Sequence, residues 1–114
     1  MTAAEAPSGP RVARVLCRTS DLAPGEARRF DLEGRRICLV RCAGDVWRAV
    51  DDTCSHEDFS LAEGEVDPDA CEIECWKHGS LFSLVTGEPL TFPATRPVAV
   101  YEIVVEGETV SVSW

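Results

Sequence analysis

Two short pairs of metal-binding side chains constrain the fold of this 114-residue chain more than any other feature. Cys54 and His56 form the first pair and, after eighteen intervening residues, Cys75 and His78 form the second. Thiolate and neutral imidazole are ligands that iron and zinc accept, and two such pairs allow two loops to converge on one site. The chain has no other histidine. We therefore predict a metal centre with these four residues as ligands.

The spacing within the first pair separates the candidate metals. Ligand pairs of structural zinc sites usually have at least two residues between their members, whereas only Ser55 lies between Cys54 and His56. Two cysteines and two histidines also form the ligand set of a Rieske 2Fe-2S cluster, with both thiolates on one iron and both imidazoles on the other. Two alternatives stay open: a zinc site, or buried cysteines with unrelated histidines on polar loops.

The residues around both pairs resemble a known family. Residues 54–56 (Cys-Ser-His) and 75–80 (Cys-Trp-Lys-His-Gly-Ser) are similar to the two halves of a Rieske motif. A strand expected at 46–50, a Phe-x-x-x-Thr-Gly turn at 82–87, and a proline segment with a final hairpin over 92–114 extend the similarity. The chain thus resembles a Rieske-type 2Fe-2S ferredoxin, the soluble ferredoxin component of bacterial non-haem iron oxygenase systems.

Short segments rich in valine, isoleucine and arginine alternate with Gly, Pro and acidic turns at intervals of roughly eight to twelve residues, which indicates an all-β domain. We expect a single Rieske domain over 12–114 and a flexible N-terminal tail over 1–11. The resemblance implies three stacked antiparallel sheets with a cluster-binding tip formed by two loops. The predicted strands are 12–18, 27–31, 36–41, 46–50, 71–74, 81–84, 98–104 and 109–113, and glycines 34, 44, 87 and 107 are expected in turns.

Charge is distributed unevenly along the chain, whose net charge is -9. Residues 1–50 hold nine arginines and six acids, whereas residues 51–114 hold fourteen acids against Lys77 and Arg96. Eight of those acids lie between the two ligand pairs, so we expect a negative field near the tip and no nucleic-acid partner. These acids either dock to basic patches on redox partners or simply keep a small surface solvated.

No segment predicts attachment to a membrane. No apolar run approaches the roughly 18 residues that a span requires, and residues 1–11 lack the apolar region of a signal peptide. We therefore expect a cytoplasmic protein without a membrane partner.

The four cysteines outside the motif are interpreted mainly as small core residues rather than as disulfide partners. Cys38 and Cys42 are the nearest two, and an extended strand would hold them about 13 Å apart, too far for a disulfide. Among these four cysteines, Cys17 and Cys71 lie farther along the sequence from any partner. Cys71 is the nearest of the four to the second ligand pair.

The resemblance also bears on the reduction potential. High-potential Rieske proteins add a disulfide between the ligand loops, and a serine and a tyrosine that bond to cluster or ligand sulfur. Phe59 and Lys77 stand where the bridging cysteines are expected, Ser80 matches the serine, and Phe82 replaces the tyrosine. Within the family range of about -150 to +300 mV, we therefore predict a low potential, raised somewhat by Ser80.

The expected function is that of a one-electron carrier that passes electrons from a flavin-dependent ferredoxin reductase to a terminal oxygenase. A Rieske oxygenase also needs a mononuclear iron held by two histidines and a carboxylate, and both histidines here are already used. We therefore expect no catalytic residue and no enzymatic activity of its own. The alternatives are an accessory Rieske protein linked to iron-sulfur cluster assembly, and a zinc-stabilised binding module.

Overall fold

The computed structural model describes residues 12–77 and 79–114. The predicted tail, 1–11, and the predicted ligand His78 lie outside the described residues. The strands of the described part are β1 Ala13–Arg18, β2 Ala27–Leu32, β3 Arg35–Cys42, β4 Val46–Asp51, β5 Glu65–Asp67, β6 Glu72–Glu74, β7 Leu81–Ser83, β8 Val100–Glu106 and β9 Thr109–Ser113. Single 3-10 turns lie at Thr19–Asp21, Ala43–Asp45 and Leu61–Glu63. None of the described helices is long and apolar enough to cross a membrane.

The strands form antiparallel sheets, which confirms the all-β prediction. One sheet has the order β1-β9-β8-β4-β3-β2 and the other has the order β5-β6-β7. In the larger sheet, β8 pairs with β9 along its length but with β4 only at Tyr101 and Val100. The larger sheet therefore consists of two parts, β1-β9-β8 and β4-β3-β2, joined by a short ladder. Together with β5-β6-β7, these parts correspond to the three sheets that the sequence led us to expect.

Strand β3 is buried on both faces and separates two hydrophobic cores. Successive side chains of a strand point to opposite faces, so alternate residues of β3 enter different cores. Ile37 and Leu39 belong to a first core that also contains Val110 and Val112 of β9. Cys38, Val40 and Cys42 belong to a second core, which continues through these residues: Val50, Leu61, Ile73, Phe82, Leu84 and Val98. The second core packs the central strands against the sheet that carries the second ligand pair.

The predicted strands are all present, with boundaries that differ by at most a few residues. The sequence did not predict β5, because Glu-Val-Asp is short and acidic; Val66 pairs with Ile73 of β6 in the structure. The turn glycines are confirmed, since each has a positive φ that glycine adopts without steric cost: Gly34, Gly44, Gly87 and Gly107.

Cys42 and Cys71 form a disulfide, so the prediction that both are unpaired core residues is wrong. Their Cα atoms are 5.5 Å apart although 29 positions separate them in the sequence. Cys42 ends β3 and Cys71 lies in the turn between β5 and β6. The Ala43 N–H donates to the Pro68 carbonyl at 3.0 Å and ties the same two segments. The disulfide therefore joins the central strands to the three-stranded sheet.

Candidate metal centre

Each of the two predicted ligand loops is closed by a backbone hydrogen bond between equivalent positions. The Cys54 N–H donates to the Phe59 carbonyl at 2.9 Å, and the Cys75 N–H donates to the Ser80 carbonyl at 2.8 Å. In both loops the cysteine therefore bonds to the carbonyl five positions later. The first loop follows β4, and the second connects β6 to β7. In the second loop, the Gly79 N–H also donates to the Cys75 carbonyl at 2.9 Å.

The structure buries both predicted thiol ligands in the same core. Cys54 is 3% exposed and Cys75 is 2% exposed, and both belong to the second core. His56 is exposed to solvent, and His78 lies outside the described residues. Without His78, the described residues contain no group of three or more His, Cys, Asp or Glu side chains arranged as a metal site.

An aromatic contact joins the two loops. The rings of Phe59 and Trp76 meet edge to face, with centroids 5.2 Å apart. The Lys77 ammonium lies 5.6 Å from the centroid of Phe59 and 5.7 Å from that of Trp76, within the range of a cation–π interaction. Phe59 and Lys77 are the positions where the bridging cysteines of a high-potential protein are expected. Here those positions are in contact without a covalent bond.

Asp52 anchors the first loop from inside the protein. Its side chain is buried, its N–H donates to the Arg36 carbonyl at 2.9 Å, and its own carbonyl accepts the Leu61 N–H at 2.6 Å. The Asp52 carboxylate accepts the Ala62 N–H at 2.9 Å, and its other oxygen lies 3.9 Å from Nε of Arg29. The sequence analysis did not single out Asp52; its position two residues before the predicted ligand Cys54 was the available signal.

Ser80 is a buried hydroxyl in the second loop. Its Oγ accepts the Ala94 N–H at 3.0 Å. A serine hydroxyl has one proton to donate besides its acceptor lone pairs. Ser80 therefore keeps a donor after it has bound Ala94, as its predicted role toward cluster or ligand sulfur requires. Phe82, the predicted replacement for a tyrosine, is fully buried in the second core.

A segment rich in proline, residues 89–97, contacts both ligand loops; we call it the proline loop. The Ser55 hydroxyl of the first loop donates to the Arg96 carbonyl. The Thr91 hydroxyl donates to the Gly79 carbonyl of the second loop at 3.4 Å. The proline loop therefore lies along the side of the candidate metal centre. The sequence analysis had treated it only as part of the family resemblance.

Cys38 is a further buried free thiol, but its environment disfavours metal binding. Burial, and then the carboxylate of Asp52, raise the pKa of the Cys38 thiol. A metal ligand must be a thiolate, so a thiol held protonated does not compete for iron. Cys17, the other free cysteine outside the motif, is half-buried on β1, where burial also raises its pKa.

The charged residues of the two halves behave differently. Ion pairs join arginines of the first half to carboxylates of residues 31–58: Arg14–Glu33, Arg29–Asp31, Arg29–Asp52, Arg36–Asp58 and Arg41–Asp45. On β5 and β6, Glu65 stands opposite Glu74 and Asp67 stands opposite Glu72. Like charges in directly opposite positions destabilise a sheet. These four carboxylates, the acidic face, enter none of those ion pairs.

The strands and loops together define a class of protein: a small antiparallel β protein in which each of two loops carries a cysteine and a histidine and contributes its cysteine to the second core. Residues 13–102 match the family model described as the Rieske [2Fe-2S] domain. The chain therefore belongs to the Rieske [2Fe-2S] family, and its cofactor is a Rieske-type [2Fe-2S] cluster.

Several similar proteins are ferredoxins. The ferredoxin CarAc of Metapseudomonas resinovorans is 43% identical over 94 residues, which cover 82% of this chain and 86% of that protein. The ferredoxin of carbazole 1,9a-dioxygenase from Nocardioides aromaticivorans IC177 has a similar structure, with a TM-score of 0.84, 33% identity and coverage of 88% and 95% of the two chains. A chain in the complex of reduced oxygenase and oxidized ferredoxin in carbazole 1,9a-dioxygenase has a TM-score of 0.79 and 38% identity, over 87% and 99%.

The described residues fit such a cluster. Two buried thiols in one core and one exposed imidazole belong to the donor types that a Rieske cluster takes. An ionised thiolate is costly to bury alone, and iron supplies the compensating charge. Cys54 and Cys75 also occupy equivalent places in matched loops, as two ligands of one iron would.

Proposed function

We propose that this protein is a one-electron carrier that accepts electrons from a flavin-dependent ferredoxin reductase and delivers them to a terminal oxygenase. Its ligands are Cys54, His56, Cys75 and His78. The observation that carries the proposal is the pair of buried cysteines in identically closed loops, within a chain whose relatives are dioxygenase ferredoxins. We further propose that residues 12–114 form one domain, because β3 contributes to both cores.

Different residues bind the cluster, link its two loops and connect it to a partner. When bound, the cluster takes up and releases a single electron. Cys54 and Cys75 hold it from the protein interior, whereas His56 reaches solvent and offers a route for electrons to a partner. The Phe59–Trp76 contact links the two loops. With both histidines used as ligands, none is left for a mononuclear iron site, so the protein carries electrons rather than catalysing oxygenation.

The acidic face supports docking to partners with basic patches. Its opposed carboxylates cost stability, which a sheet under selection for stability alone would avoid. A concentrated negative field accelerates encounter with a basic surface, and salt screens that effect. A titration of electron-transfer rate against ionic strength tests this assignment. A rate that does not change between low and high salt contradicts it.

The ligand assignment is tested by spectroscopy after anaerobic purification. We expect visible absorption, a Rieske electron paramagnetic resonance signal after reduction, and two irons and two sulfides per chain. Cys54→Ser and Cys75→Ser should lose the signal, whereas Cys17→Ser, a matched change at a free cysteine, should keep it. A colourless protein that contains zinc would contradict the proposal, as would a Cys54→Ser variant with an unchanged signal.

Delivery to an oxygenase is tested directly by stopped-flow mixing. The reduced protein is mixed with the oxidised oxygenase component of carbazole 1,9a-dioxygenase, and its reoxidation is followed by absorption. We expect a second-order reaction that slows as salt rises. Neutralisation of the acidic face by Glu65→Gln with Glu72→Gln should slow the reaction at low salt only. Glu106→Gln, an exposed change at the end of β8, should leave the rate unaltered.

A further inference from the structure

We propose that Leu90 and Phe92 of the proline loop form an apolar docking surface on which the terminal oxygenase rests while it receives an electron. This inference rests on the proposed function and adds the surface that seats the acceptor. Phe92 is 83% exposed and Leu90 is 48% exposed. Together with Pro89 and Thr95 they line a shallow cleft of about 280 Å³. Aromatic side chains in such positions are enriched at protein interfaces.

The location of this surface ties it to electron transfer. Thr91 lies between Leu90 and Phe92, and its hydroxyl donates a hydrogen bond to the Gly79 carbonyl of the second ligand loop. The Arg96 carbonyl accepts a hydrogen bond from the Ser55 hydroxyl of the first ligand loop. The proline loop is therefore held beside both ligand loops by direct hydrogen bonds. Leu90 and Phe92 flank Thr91 in the chain, so an oxygenase docked against the second ligand loop would contact them.

The chemistry of the proline loop differs from that of the acidic face. Residues 89–97 contain no acid, although the chain has twenty, and Arg96 is their single charge. An interface typically combines an apolar centre that supplies affinity with surrounding charges that supply encounter rate and orientation. The acidic face suits the second role, whereas Leu90 and Phe92 suit the first. A relative that is 38% identical forms a complex with its oxygenase, which makes the oxygenase the occupant to which the inference commits.

Phe92→Ala in the holoprotein tests this inference. The reduced variant is mixed with the oxidised oxygenase component of carbazole 1,9a-dioxygenase at a high salt concentration, where steering by charge is screened. We expect the second-order rate constant to fall at least about tenfold, because a buried aromatic anchor at an interface contributes at least that much to affinity. Leu90→Ala should give a smaller fall. Val15→Ala, on β1 at a residue that is 67% exposed, is the matched control and should keep the wild-type rate.

Further readouts separate docking from structural damage. The reduction potential, the paramagnetic resonance signal and the thermal midpoint of Phe92→Ala should equal those of the wild type, and reoxidation by ferricyanide should be unchanged. A wild-type rate of electron transfer from Phe92→Ala to the oxygenase would overturn the inference. A variant that is reduced more slowly by the reductase but transfers electrons to the oxygenase at the wild-type rate would also overturn it. A wild-type dimer that Phe92→Ala converts to monomers would assign the surface to a second copy instead. If the wild type itself transfers no electron to the oxygenase, the proposed function fails; a transfer-competent wild type with an equally fast variant refutes only the docking surface.

Discussion

Phe59 and Trp76 meet edge to face across the two ligand loops, with ring centroids 5.2 Å apart. Each ring belongs to a different loop: Phe59 supplies the carbonyl that closes the first, and Trp76 directly follows Cys75 in the second. The two loops are thus joined by a noncovalent aromatic contact rather than by a disulfide. Trp76 is 48% exposed, so water reaches this contact.

We predict that the two rings are energetically coupled. In a double-mutant cycle with Phe59→Ala and Trp76→Ala, the coupling free energy should be about 1 kcal/mol, the usual value for an aromatic pair. Chemical denaturation of the holoprotein measures it. The same variants should bleach faster in air, because water gains access between the loops. Additive effects on unfolding with an unchanged bleaching rate would assign the rings to ordinary surface packing.

Ser80→Ala should lower the reduction potential. Loss of a hydrogen bond to a charged acceptor is worth about 1.5–3 kcal/mol, which for a one-electron couple corresponds to about 60–130 mV. The potential falls because the donor stabilises the more negative, reduced form. Ser83→Ala is the control, since the Ser83 hydroxyl accepts only the Val85 and Thr86 N–H groups of a turn among the described contacts. Spectroelectrochemical titration measures the reduction potential of both variants. If Ser80→Ala and Ser83→Ala have the same potential, the Ser80 hydroxyl bonds only to the Ala94 N–H.

Removal of the Cys42–Cys71 disulfide should lower the free energy of unfolding by about 3.5 kcal/mol, the chain-entropy value for a closed loop of this size. The variant Cys42→Ala with Cys71→Ala should unfold at a lower denaturant concentration, and a reductant should not change its transition further. The wild type should lose a similar amount of stability in the presence of reductant. Mass spectrometry of the denatured, alkylated protein provides a control. Alkylation of all four cysteines other than Cys54 and Cys75 in the absence of reductant would contradict the disulfide.

Gly64→Ala should disrupt the approach to the second ligand loop. A Cβ on Gly64 would collide with the carbonyl group of Glu74, the residue before Cys75, although the φ of -89° at Gly64 suits alanine. We expect a loss of about 2–3 kcal/mol and a reduced iron content. Gly107→Ala is the contrasting control: it meets no atom within 4 Å, but its φ of +61° is strained, which costs about 1 kcal/mol. Similar effects of the two changes on iron content would rule out the steric explanation.

The sequence predicted the strands well because their side chains follow a simple rule of burial. Ile37, Leu39 and Val40 lie in one apolar run, which predicts a buried strand without revealing how its faces are used. The structure shows that alternate members enter different cores. The sequence also supplied the family resemblance at both ligand pairs, which the match over residues 13–102 confirms. The assignments of Cys54, His56, Cys75 and His78 as cluster ligands stay predictions.

Tertiary contacts account for what the sequence did not predict. The disulfide depends on the β5–β6 turn folding back onto the end of β3, and β5 itself was not predicted. Asp52 gains its role because its backbone and carboxylate meet Leu61 and Ala62, which are near it only after the first loop has closed. Periodicity and motif spacing carry no information about such contacts.

The disulfide has a topological consequence for the metal centre. Cys42 and Cys71 are the ends of a covalent ring that contains Cys54 and His56 but excludes Cys75 and His78. A protease cut within the first ligand loop would therefore open the ring without separating the chain into two fragments. Such a nicked protein would still migrate as one species on a non-reducing gel and would divide in two once a thiol is added. Half of the proposed ligand set thus remains covalently attached to the rest of the chain through either the backbone or the disulfide.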